Sequence, residues 1–200
     1  MRHSKKALAK QARRYWEQRK LSTLAALQSK PELEEVADAL YFVGLALNAL
    51  NKRREAIECW RKAKAVDPQH ELAIRTLAYE LKDQAPVEAA ELYCQLLAMQ
   101  RANADDFTSL GEIRIKQDRL GEARRWLEQA LRLDPNNSLA LLGMAMLYAQ
   151  VGDSALALDF LQKAAETEDI DLSDLACDPE FEFLWHEPRF AEIVSGNGRN

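Results

Sequence analysis

The stretch "AIECWRKAKAVDPQH", residues 56 to 70, sets Ala56, Trp60 and Ala63 on one helical face and then stops at Asp67-Pro68. Sixty-seven residues later "ARRWLEQALRLDPNN", residues 123 to 137, does nearly the same with Ala123, Leu127 and Ala130 before Asp134-Pro135. Apolar residues three and four positions apart mark a helix with a buried stripe, and small ones among them mark a close crossing. A separation close to twice 34 points to a repeated helical unit, which decides the fold of everything between its copies.

Registering the chain on Pro68 and Pro135 divides it into units at 37–70, 71–103, 104–137 and 138–171. Each unit reads as two helices joined by a short polar turn. The first carries Leu40, Val43, Gly44 and Leu47, then "NKRRE", then Ala56, Ile57, Trp60 and Ala63. Small residues recur at Gly44, Ala78, Gly111 and Ala145 in the first helices and at Ala56, Ala89, Ala123 and Ala157 in the second. Two helices approach closely only where neither presents a large side chain. One such pair cannot bury both of its faces, so successive pairs stack.

Composition agrees with an all-α chain. Of 200 residues only seven are Gly and six Pro, while 48% are apolar and 30% charged, which suits folded helices and leaves little material for sheet turns. Charge is unevenly placed. Residues 1–30 hold nine Lys or Arg against Glu17 alone, a surplus of eight cations, which leaves a deficit of thirteen over the other 170 residues of a chain with net charge −5. Cys59, Cys94 and Cys177 are odd in number and widely spaced, which argues against a disulfide framework and for a reducing compartment. No apolar run approaches the roughly 20 residues of a membrane span, and the basic start lacks the apolar stretch of a secretory signal. The expected location is cytoplasmic.

The spacing of Leu40, Val43, Gly44, Leu47, Ala56, Trp60, Ala63 and Pro68 resembles the tetratricopeptide repeat, as does that of Phe107, Leu110, Gly111, Ala123, Leu127, Ala130 and Pro135. The resemblance implies an all-α, right-handed superhelical solenoid of antiparallel helix pairs. The expected organisation is a basic helical extension at 1–36, four repeats over 37–171, a capping segment at 172–194 and a disordered tail at 195–200. The second repeat departs from the pattern by lacking the closing proline, and Pro86 fits the first turn of its second helix. Arg114 stands where the family usually places a large apolar residue. In the cap, Phe181, Leu184, Trp185, Phe190 and Ile193 would cover the exposed face of the last pair.

The same resemblance implies that the first helix of each pair lines a concave groove. Its candidate residues are Tyr41, Phe42, Leu45 and Asn48, then Arg75, Tyr79 and Lys82, then Glu112, then Leu139, Leu142 and Met146, with Thr76, Thr108, Ser109 and Lys116 on the same faces. Helix 138–150 is apolar all round, so something beyond its own pair must cover Leu139, Leu142 and Met146: the C-terminal segment or a partner. Tyr41, Phe42 and Leu45 are open to cover by segment 4–29 or to a ligand. Family members that grip the C-terminal carboxylate of chaperone tails hold Lys and Asn at positions occupied here by Tyr41, Leu45, Thr76, Asp105 and Ser109, and Asp105 would repel a carboxylate.

Nothing in the sequence assembles a catalytic or metal site. HExxH, P-loop, GxGxxG and GxSxG patterns are absent, and His70 and His186 read as surface residues of a turn and of the cap. The acidic group Asp169, Asp171 and Asp174 lacks the calcium-loop pattern. Trp60 is a core position, and Trp126, one residue before the stripe, is expected to face a neighbouring repeat. The expected function is a non-enzymatic scaffold or co-chaperone-like adaptor, without cofactor, that holds another protein's peptide or helix in the groove. Two alternatives stand beside it. One is a nucleic-acid- or membrane-associated factor working through the basic arm, against which the acidic body argues for nucleic acid; the other is a secretion-type chaperone of the same family.

Overall fold

The computed structural model describes residues 2–167 and 170–196; part of the acidic group, at Asp169, and most of the expected tail, at 197–200, lie outside them. The described residues hold helices and turns and no strand. Eleven α-helices follow in order: α1 (Arg2–Glu17), α2 (Leu21–Ala25), α3 (Ala37–Ala49), α4 (Arg53–Val66), α5 (Glu71–Leu81), α6 (Pro86–Ala98), α7 (Ala104–Lys116), α8 (Leu120–Leu133), α9 (Ser138–Gln150), α10 (Ser154–Glu166) and α11 (Pro188–Val194). Short 3₁₀ turns link α2 to α3 and α10 to α11. The chain divides into two compact units, residues 1–101 and 102–200. Within each, antiparallel helix pairs stack on one another, the arrangement of an all-α solenoid.

The "DP" motif explains where the pairs break. A residue before proline is pushed out of the α region, and Asp67 and Asp134 both adopt extended backbone, ending α4 and α8. Their carboxylates then accept the backbone N–H of Gln69 and of Asn136 two residues on, closing an Asx turn. The next residues restart the chain. His70 Nδ1 accepts the N–H of Ala73, and Asn137 Oδ1 accepts that of Ala140, so each caps the following helix.

These two caps also tie one pair to the next. His70 Nε2 lies 3.1 Å from Asp38 Oδ1 at the start of α3, and Asn137 Nδ2 donates to Asp105 Oδ1 at 2.9 Å at the start of α7. Because Nδ1 of His70 is the acceptor for Ala73, its proton sits on Nε2, which donates to Asp38. His70 is only 9% exposed, so the expectation of a surface histidine is wrong: the cap and the bridge to Asp38 draw it inside.

Inside three of the pairs, α3–α4, α7–α8 and α9–α10, the turn uses a left-handed residue. Asn51, Asp118 and Gly152 have φ of 60°, 57° and 77°, and the following N–H bonds back to Leu47, Arg114 and Tyr148. Asn, Asp and Gly are the residues that reach this conformation at least cost.

In the α3–α4 and α7–α8 pairs the helices meet where the first has no side chain. A methyl group on Gly44 would lie 2.4 Å from Trp60 Nε1, and one on Gly111 would lie 2.6 Å from Leu127 Cγ. Trp60 is fully buried there, its ring N–H donating to the Tyr41 carbonyl at 3.2 Å. Leu127 also fits against Gly143, and so packs two helices at once. Arg114, in place of a large apolar residue, reaches Glu122 and Gln117 instead.

At the C-terminus, Phe181, Leu184, Phe190 and Ile193 are buried in one cluster with Leu141, Ala145, Leu158 and Leu161 of α9 and α10. Trp185 does not join them and remains exposed, contrary to its expected covering role. At the other end, α1 lies on α3 through buried Leu8 and Ala12, and Lys5 pairs with Glu35.

Candidate functional site

In the first unit, docking of α1 on α3 leaves an open groove of about 660 Å³. Its α3 wall is Asp38, Tyr41, Phe42 and Leu45, and Leu72 of α5 continues the apolar surface. Its α1 wall is Ala9, Lys10, Arg13, Trp16 and Glu17. The spacing explains the two-faced use of α1. Leu8 and Ala12 share the stripe that packs on α3, while residues 9, 10, 13, 16 and 17 lie on the adjacent flank one turn apart. The rings of Tyr41 and Phe42 meet edge to face at 5.4 Å, and Tyr41 also lies 5.5 Å from the His70 ring. The His70–Asp38 bridge thus lies beside the Tyr41 ring, with Asp38 on the groove itself.

Charges at this groove are partly matched. Arg13 Nε donates to Glu17 at 2.9 Å, and Asp38 takes the His70 N–H. Lys10 is exposed.

The other sequence-derived candidates are placed differently. Asn48 is half-buried and donates to Glu80, which also holds Arg53 at 2.8 Å. Arg75 pairs with Glu71 at 2.8 Å and donates to the Arg101 carbonyl. Tyr79 is 63% exposed, with Lys82 Nζ 5.6 Å from its ring centre. Glu112 is half-buried on α7. Thr108 and Ser109, expected on a groove face, are buried, and the Thr108 hydroxyl donates to the Ala104 carbonyl. Leu142 and Met146 are half-buried and pack against the cluster that contains Phe181 and Leu184, while Leu139 stays exposed. Within the first unit the groove therefore brings Tyr41, Phe42 and Leu45 together, and Asn48, Arg75, Tyr79 and Lys82 do not line it. Sequence reasoning missed Lys10, Arg13, Glu17, Asp38 and Leu72 as groove residues; the signal was the offset between the Leu8–Ala12 stripe and Trp16.

In the second unit Trp126 stacks on Phe107 of its own helix pair, with ring centres 5.9 Å apart. Among the described residues no group of His, Cys, Asp and Glu is placed to hold a metal ion. No helix among them is long and apolar enough to cross a membrane.

Tetratricopeptide-repeat family models match residues 37–70 and 114–175. The mouse N-alpha-acetyltransferase 16, NatA auxiliary subunit, is 26% identical over 175 residues, covering 85% of this chain and 20% of that protein. Its human counterpart is 27% identical over 143 residues, covering 71% of this chain and 17% of that protein. The chain spans about a fifth of the length of these curated relatives. Among solved structures, PilW, a type IV pilus biogenesis factor, superposes with a TM-score of 0.73 at 19% identity, covering 95% of this chain and 90% of that one. PilF of Pseudomonas aeruginosa gives 0.68 at 19%, covering 96% and 89%. YrrB, described as a tetratricopeptide-repeat protein with an unusual peptide-binding site, gives 0.59 at 20%, covering 86% and 88%. Repeat matches in both halves, helix pairs crossing at Gly44 and Gly111, and neighbours of the same architecture converge: the chain is a tetratricopeptide-repeat protein with several repeats.

Proposed function

We propose that this protein is a non-enzymatic interaction scaffold that holds a peptide or helix of another protein in the groove between α1 and α3. The observation that carries the reading is the contrast between its two units. Tyr41, Phe42 and Leu45 form an apolar floor open to solvent, whereas the positions 67 residues on hold Thr108, Ser109 and Glu112. An apolar, half-exposed floor next to a helical rim is the form in which helix-in-groove recognition recurs. Stacked helix pairs commonly serve as extended binding surfaces. The likeness to an auxiliary subunit supports a scaffolding role over catalysis. The adaptor and secretion-chaperone readings both use this groove and differ only in the client. A membrane role for the basic arm is disfavoured because the apolar face of α1, Leu8 and Ala12, is already spent on α3.

Peptide display against the full chain tests the proposal. Selected sequences share an apolar helical stripe, and binding falls about tenfold or more in Leu45→Glu protein whose circular dichroism is unchanged. Absence of any enriched sequence, or binding indifferent to Leu45→Glu and Tyr41→Ala, overturns it.

A further inference from the structure

We infer that the partner segment has an apolar stripe bordered by acidic side chains; this rests on the groove being a peptide site and adds the charge of the client. Lys6, Lys10 and Arg13 occupy successive turns along one flank of α1, where residues three and four apart are neighbours, and Lys10 and Arg13 line the groove itself. Two carboxylates lie at the same groove: Glu17 is paired with Arg13 at 2.9 Å, while Asp38, on the opposite α3 wall, accepts the neutral His70 N–H at 3.1 Å and keeps its charge. Lys6 and Lys10 are exposed and leave the rim positive. A lysine-bordered client would set like charges against this rim while its apolar stripe sat on Tyr41, Phe42 and Leu45. An acidic border gains attraction there and is steered to the basic end of a chain that is otherwise acidic. Phosphate recognition is less well matched, because the floor beside the rim is apolar.

The test uses two labelled peptides of about 16 residues, a little over four helical turns, with the same leucine stripe and either Glu or Lys at the bordering positions. Anisotropy titrations with the full chain are expected to give about tenfold tighter binding of the Glu peptide in low salt, with the gap shrinking as salt rises. Reversing the rim with Lys6→Glu and Lys10→Glu, both at exposed positions, is expected to invert the preference, and Leu45→Glu to weaken both peptides. Equal binding of the two, unmoved by the rim reversal, overturns the acidic-client inference and leaves the groove reading standing. Binding of neither overturns both. A single-stranded oligonucleotide that binds more tightly than the Glu peptide and ignores Leu45→Glu overturns the inference in favour of phosphate. Dimerisation of the chain that Leu45→Glu abolishes overturns it in favour of a second copy.

Discussion

Gly44 has no room for a methyl group, because its missing Cβ would lie 2.4 Å from the Trp60 ring, and that ring is fixed by full burial and by its bond to the Tyr41 carbonyl. Overpacking of this kind costs about 1–3 kcal/mol. Gly44→Ala is therefore expected to lower Tm by roughly 3–9 °C in thermal unfolding followed by circular dichroism. Gly121 in α8 has open space around it, so Gly121→Ala is expected to be neutral or stabilising, by up to about 1 kcal/mol. Equal losses at both sites would show that the crossing at Gly44 does not set the outcome. The repeat register already separates the two glycines in the sequence: Gly44 falls at the small-residue crossing position of its unit and Gly121 does not.

At the scale of elements, the C-terminal segment tests how the last pair is covered. Phe181 is fully buried among α9, α10 and α11 side chains. Phe181→Ala removes a large buried ring at a cost of about 3–5 kcal/mol. Amide exchange is expected to rise first in α9, α10 and α11, since a stacked fold passes instability mainly to nearest neighbours. Unchanged exchange there would deny the segment a covering role. Helix periods and the Asp-Pro stops at 67 and 134 were legible in the sequence because spacing and backbone restriction are local properties. His70 and Thr108 were misread for a related reason. Their burial depends on where a polar side chain finds its partner, which lies in another helix for His70 and one turn back along the same helix for Thr108. The groove was half legible. Tyr41, Phe42 and Leu45 follow from helix phase, whereas the α1 wall depends on which of two faces of that helix docks on α3.

At the scale of the whole molecule, the three thiols differ by environment. Cys59 is buried, and loss of hydration pushes its pKa up to about 11, with Lys62 opposing and Glu55 and Glu58 adding to the rise. Cys94 and Cys177 are exposed. The thiolate is the reactive form, so at about pH 8 the native protein is expected to titrate two rapidly reacting thiols with a disulfide reagent and a third only after denaturant is added. Rapid reaction of all three would mean that α4 opens easily. The two reactive positions fall one in each compact unit, Cys94 in residues 1–101 and Cys177 in residues 102–200. Unaltered, the protein thus offers paired attachment points for spin or fluorescent labels, and the distance between them becomes a ruler for any rearrangement of the units when a client peptide is added.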